Sequence, residues 1–136
     1  MIKKIDHIAI AVKNLAEEIT RYRDVLGLEY LGSEVAAEQK VTVAFFKIND
    51  VFIELLEPTG PDSPISAFIE KKGGGLHHLA LEVDDIKAAI KRLQEKNVQM
   101  LNPEPKTGAH HALIAFAHPK NFSGVLVELK QKGDES

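Results

Sequence analysis

Apolar and polar positions alternate in two short stretches of the chain, "DHIAIAV" from Asp6 to Val12 and "GLHHLALEV" from Gly75 to Val83. A period of two is the mark of a strand with one buried face. Each stretch leads through a short polar turn into helical spacing. Leu15, Ile19, Tyr22 and Leu26 make one apolar stripe, and Ile86, Ala89, Ile90 and Leu93 make the other. Asn14 is a natural N-cap for the first helix, and Asp84 or Asp85 for the second. Gly27 closes the first helix, and Asn97 can do the same after Lys96.

Strand patterns follow each helix. In the first half they are residues 28–36, "VTVAFFKI" and "VFIELLEP", the last two joined by a tight Asn49-Asp50 hairpin. In the second half they are residues 98–101, "ALIAFAHP" and "GVLVELK". Both halves therefore read β-α-β-β-β. Between them, "TGPDSPISAFIEKKGGG" predicts a loop, a short helix near 64–71 and a glycine-rich linker. The expectation is an α+β fold in a single domain over residues 1–136. Its parts are a βαβββ unit at about 4–58, a linker at 59–75 and a second unit at about 76–130, forming a shared concave mixed sheet.

Composition narrows the function classes. Among 136 residues, 17 Lys and Arg face 20 Asp and Glu, a formal charge of −3 that suggests no nucleic-acid partner. There is no cysteine, so disulfides and thiolate chemistry are excluded. No apolar run reaches membrane-spanning length and the N-terminus does not read as a signal peptide, so the expected location is cytoplasmic with no membrane partner.

Strand parity then picks out the chemistry. Ile8, Ile10 and Val12 share the face suited to a helix, which puts His7, Ala9 and Ala11 on the other. In the second unit Leu79, Leu81 and Val83 take the helix side, so His78, Ala80 and Glu82 take the open one. His78 is thus the repeat partner of His7, while His77 corresponds to Asp6 and reads as a packed, structural histidine. Glu54 and Glu128 lie among apolar residues in the two terminal strands, where a carboxylate is costly unless paired, protonated or bound to a metal. The repeat offset is 71 residues for the histidines and 74 for the glutamates, a difference that one three-residue loop insertion accounts for. Two imidazoles and two carboxylates converging from equivalent units suit one divalent ion such as Co2+, Ni2+, Mn2+ or Zn2+ with positions open for substrate. Ala9 and Ala80 would leave room above it.

These features resemble the vicinal oxygen chelate superfamily and, within it, the methylmalonyl-CoA epimerase family. The resemblance runs from about residue 5 to 130 through "DHIAIAV", "YRDVLGL", "VAFFKI", "FIELLEPTGPDSPISAFIEKKGGGLHHLALEVDDI" and "FAHPKNFSGVLVELK". It implies interconversion of (R)- and (S)-methylmalonyl-CoA, with a divalent metal on His7, Glu54, His78 and Glu128. Some relatives carry Gln at the position of Glu54. Removing the weakly acidic proton beside the thioester makes an enolate, which a metal at the thioester and carboxylate oxygens would stabilise. Inversion needs an acid and a base on opposite faces of the carbon. Glu128 is one candidate, and Glu38 in "AAEQKV" matches a glutamate of similar epimerases. An exposed loop glutamate is the other reading of Glu38.

The resemblance also points to His110 as a substrate contact, although His111 departs from the small residue usual after it. Lys40, Lys106 and Lys120 lie in loops that could meet CoA phosphates, or are solvated surface charges. A homodimer is expected from the superfamily. A glyoxalase I-type isomerase shares fold and ligand set and is the nearest alternative. A metal-free small-molecule-binding module of the same fold would not need the four ligands, and ring-cleaving dioxygenases use a His-His-Glu site.

Overall fold

The structure, a computed structural model, describes residues 1–108 and 111–133. Contacts divide the chain into a unit of residues 7–77 and a unit formed by residues 1–6 with 78–136. The division falls inside the first strand, β1 (Ile2–Ala11).

In the unit of residues 7–77, β1 leads to α1 (Leu15–Thr20), then β2 (Glu29–Ala36), β3 (Val41–Ile48), β4 (Val51–Pro58) and α2 (Pro64–Lys72). The strand order is β2-β3-β4-β1, with β1 parallel to β4 and the other pairs antiparallel. Asn14 caps α1 by accepting from the Glu17 N–H. Ser63 caps α2, accepting from the Ile65 N–H, and Pro64 stands where its missing N–H does no harm. Asn49 takes φ 52° in the two-residue turn that joins Ile48 to Val51, as the Asn-Asp pair predicts.

The two faces of this sheet are packed by different helices. Val12, Leu15, Ala44, Phe46 and Leu55 form one core, joined by Ile10, Ile19 and Tyr22 from the α1 side. On the other face Ala9, Ala11, Val41, Val43 and Leu56 meet Ile65, Phe68 and Ile69 of α2. The alanine face is therefore not left open along its whole length.

One expectation for the first helix fails in its last turn. After Thr20 the backbone widens into a π turn over Arg21–Val25, and Leu28 donates its N–H to the Tyr22 carbonyl. The wider turn breaks the 3.6-residue phase. Tyr22 and Leu28 reach the core, while Leu26 is left 63% exposed. Gly27 follows at φ +77°, the left-handed conformation that a helix end requires.

The other unit holds residues 2–6 of β1 beside β5 (Gly75–Val83), which reaches it at His78. It continues with α3 (Ile86–Glu95), β6 (Lys106–Thr107), β7 (Leu113–Ala117) and β8 (Leu126–Gln131). The order is β1-β5-β8-β7-β6, with β5 parallel to β8 and β8-β7-β6 antiparallel. Asp85, of the two candidates, caps α3 by accepting from the Ala88 N–H. Ile86 and Ile90 bury with Val83, Ala115 and Leu129, joined by Ala89 and Leu93 as the spacing predicts.

The strand expected at 98–101 does not form as such. Only an isolated bridge from Met100 to Ala117 survives, and edge pairing resumes at Lys106 and Thr107. Pro103 and Pro105 stand between the two and cannot donate to a ladder. Asn102 fills part of the gap, its side-chain oxygen accepting the Phe116 N–H at 2.8 Å. Among the described residues no helix is long and apolar enough to cross a membrane.

Candidate functional site

Each unit brings one histidine and one glutamate together by the same strand register. In the first, β1 runs parallel to β4 with Ala9 opposite Glu54, and the His7 Nδ1 lies 3.5 Å from a Glu54 carboxylate oxygen. In the second, β5 runs parallel to β8 with Ala80 opposite Glu128, and the His78 Nε2 lies 3.3 Å from a Glu128 oxygen. The histidine sits two residues before the alanine in both strands, so parity keeps all three on one face. An antiparallel neighbour adds a phenylalanine opposite each glutamate, Phe45 in β3 and Phe116 in β7.

Burial sets the energetics of these pairs. Side-chain exposure is 7% for His7, 19% for Glu54, 12% for His78 and 8% for Glu128. Carboxylates so far from water need strong compensation, which imidazole or a cation can give. The spacings of 3.3 and 3.5 Å exceed the ~2.7–2.9 Å of a charge-assisted hydrogen bond. Two ligand atoms about 2.1 Å from one ion stand roughly 3.0–3.4 Å apart for right-angle to tetrahedral geometry, a range that includes the 3.3 Å of His78–Glu128 and that the 3.5 Å of His7–Glu54 slightly exceeds. His78 and Glu128 belong to a group of side chains able to hold a metal ion. The donor set of imidazole nitrogen and carboxylate oxygen fits a divalent transition ion.

The remaining candidates fall in varied places. Glu38 is exposed on a 3-10 turn, Ala37–Gln39, between β2 and β3. His110 lies outside the described residues. His77 packs edge-on against Phe68 of α2 at 4.9 Å between ring centroids, a structural role with the linker helix as its partner. Lys40 is paired with Asp62 at 2.7 Å, which holds the Asp62 carboxyl below its ordinary range. Lys120 is exposed beside the short 3-10 helix Pro119–Phe122, whose start His118 caps by accepting the Lys120 N–H on Nδ1. The "HP" pair is thus a turn-forming device in this fold.

Strand alternation alone does not mark Phe45 and Phe116 as neighbours of the glutamates. Their offset is 71 residues, the same as between His7 and His78, so the repeat already carried the signal. Glu82, assigned by parity to the open side, is 4% exposed and lies between Lys3 at 3.6 Å and Lys132 at 3.3 Å. Its Oε1 accepts no hydrogen bond, so the Lys132 contact is an ion pair without hydrogen-bond geometry.

Comparison with known proteins bears directly on this arrangement. The sequence profile of the glyoxalase/bleomycin resistance protein/dioxygenase superfamily matches residues 6–116. The chain belongs to that superfamily, whose profile spans both His–Glu strand pairs except for β8. It is 45% identical over 132 residues to the mitochondrial methylmalonyl-CoA epimerase of Dictyostelium discoideum, covering 96% of this chain and 80% of that protein. It is also 45% identical over 133 residues to an ethylmalonyl-CoA/methylmalonyl-CoA epimerase of Cereibacter sphaeroides, covering 96% and 99%. A solved methylmalonyl-CoA epimerase in complex with methylmalonyl-CoA and NH4+ matches with a TM-score of 0.87 at 37% identity, over 98% of this chain and 96% of that one. Within the superfamily, this chain belongs with the methylmalonyl-CoA epimerases.

Proposed function

We propose that the chain interconverts (R)- and (S)-methylmalonyl-CoA by removing the proton between carboxylate and thioester and returning one on the opposite face. The observation that carries this reading is the twin His–Glu pair at matching strand registers in a chain 45% identical to named epimerases. The substrate class, a CoA thioester, is supported by the complexes of its structural relatives with methylmalonyl-CoA and 2-nitronate-propionyl-CoA.

His7, Glu54, His78 and Glu128 are the ligands of one divalent ion, Co2+, Ni2+, Mn2+ or Zn2+, an assignment supported by the buried His–Glu pair in each unit. Such an ion supplies Lewis acidity that favours negative charge on the thioester oxygen as the proton leaves. Glu128 moves the proton on one face of the carbon, its carboxylate positioned by His78. Glu38 serves the opposite face from the turn between β2 and β3. His110 contacts the substrate. The chain acts in the cytoplasm as a homodimer, and its 136 residues form one domain of two βαβββ units.

Exchange of the substrate α-proton with solvent deuterium tests the reading. The protein should exchange the proton of methylmalonyl-CoA, lose that activity when stripped of metal and regain it when a divalent ion is restored. Turnover of a methylglyoxal–glutathione hemithioacetal, with no exchange on the CoA ester, would replace it with a glyoxalase I-type isomerase.

A further inference from the structure

Strand parity in the unit of residues 1–6 and 78–136 gathers more than the His78–Glu128 pair. Glu128 lies opposite both Ala80 of β5 and Phe116 of β7, and Ile114, two residues before Phe116, lies opposite Lys106 of β6. His78, Ala80, Glu128, Phe116, Ile114 and Lys106 therefore share one face of the sheet. The opposite face carries Leu113, Ala115 and Leu129 into the core beneath α3.

On the shared face the side chains form a short relay. The Phe116 ring stands edge-on to the His78 ring, 6.1 Å between centroids. The Lys106 Nζ lies over the same Phe116 ring, 5.6 Å from its centroid. An ammonium group is thus one aromatic ring away from the proposed reaction centre, held by a cation–π contact. Three other lysines of this unit have anionic partners: Lys130 pairs with Asp6 at 3.1 Å, and Lys3 and Lys132 with Glu82. Among the described residues, no carboxylate lies within ion-pair distance of Lys106.

We propose that Lys106 is a specificity-determining residue that pairs with the acyl carboxylate oxygen turned away from the metal, strengthening selection of dicarboxylic over monocarboxylic acyl-CoA thioesters. The inference rests on the epimerase reading. Both the carboxylate and the CoA phosphates are anions that a lysine could meet. The position favours the carboxylate: it is bonded directly to the reacting carbon, whereas the phosphates are separated from it by the pantetheine arm. Phe116 also walls the approach with an apolar surface, where a charge pair is stronger than in open water.

Calorimetric titration of the metal-loaded protein with malonyl-CoA, propionyl-CoA and CoA separates the sources, because only the first carries an acyl carboxylate. The wild type should prefer malonyl-CoA to propionyl-CoA. Lys106→Met should bind malonyl-CoA about tenfold more weakly, the scale of a lost charge-assisted hydrogen bond, with propionyl-CoA and CoA unchanged. Lys106→Arg should restore most of the preference, and Lys106→Met should raise KM for methylmalonyl-CoA more than it lowers kcat. Equal weakening of all three ligands would assign Lys106 to the phosphates and overturn the proposal. An undiminished malonyl-CoA preference in Lys106→Met, with the wild type exchanging the methylmalonyl-CoA proton, would overturn the role of Lys106 alone. A wild type that neither exchanges that proton nor prefers malonyl-CoA would overturn both readings.

Discussion

The unit of residues 7–77 and the unit completed by residues 78–136 agree at their centres and diverge at their edges. At the centre, a parallel strand pair sets alanine opposite glutamate, with histidine two residues earlier and phenylalanine on the antiparallel side. At the edge, the first unit has a complete eight-residue strand, β2, where the second has a bridge, two prolines and a two-residue strand. Central strands are fixed by two ladders and two packed faces, whereas an edge strand answers to one ladder. The repeat has therefore kept what holds the His–Glu pairs. The altered edge is where Lys106 comes to stand over Phe116, a placement for which the first unit has no counterpart on β2, whose Gly32 and Glu34 lie opposite Phe45 and Val43.

The largest expected effect tests whether the twin pairs are equivalent. Glu128→Gln, which removes both a ligand charge and a proposed base, should lower the exchange rate by about 10²–10⁴-fold. Glu54→Gln keeps an oxygen donor and should lower it only about tenfold, with metal retained at weaker affinity. Metal analysis beside the exchange assay reads both. Equal losses in the two variants would make the pairs interchangeable and remove Glu128 as the base.

Stability measurements sharpen the contrast between the helices. Ile86, fully buried at the start of α3, should cost about 2–5 kcal/mol when changed to Ala in urea unfolding. Leu26 belongs to the equivalent stripe by sequence, yet the π turn leaves it exposed, so Leu26→Ala should stay within about 0.5 kcal/mol. A large loss at Leu26 in the monomeric chain would mean that the stripe continues into a core after all.

The smallest effect is electrostatic. The Lys40 ammonium holds the Asp62 carboxyl below its ordinary value. A lowered folded pKa adds stability above the unfolded pKa, and that stability is lost as pH falls through the folded one. Thermal unfolding of Lys40→Ala should therefore trail the wild type slightly at neutral pH, with the gap closing under acid. A gap that widened toward low pH would contradict the sign.

Much of this site could be read before any coordinates. The alternation in "DHIAIAV" and "GLHHLALEV" separated His78 from His77, and the 71-residue offset tied His78 to His7. The pattern was sufficient because side-chain direction in a strand follows from chain geometry alone, one residue up and the next down. The helix stripe misled at Leu26 because a periodic pattern cannot show where one wider turn shifts the phase. The strand expected at 98–101 failed because the apolar run there does not show that Pro103 and Pro105 interrupt the ladder and that pairing resumes at Lys106.

The sequence by itself determined the repeat, the strand faces and the four residue types offered for a metal, since all of these follow from local periodicity. Tertiary structure decided the rest. Register between strands far apart in sequence set Glu54 against Ala9 and Glu128 against Ala80, and brought Phe116 between Lys106 and His78. It also decided that His77 rests on the linker helix. Which partners meet across a sheet depends on how distant segments share one core, and no local pattern contains that information.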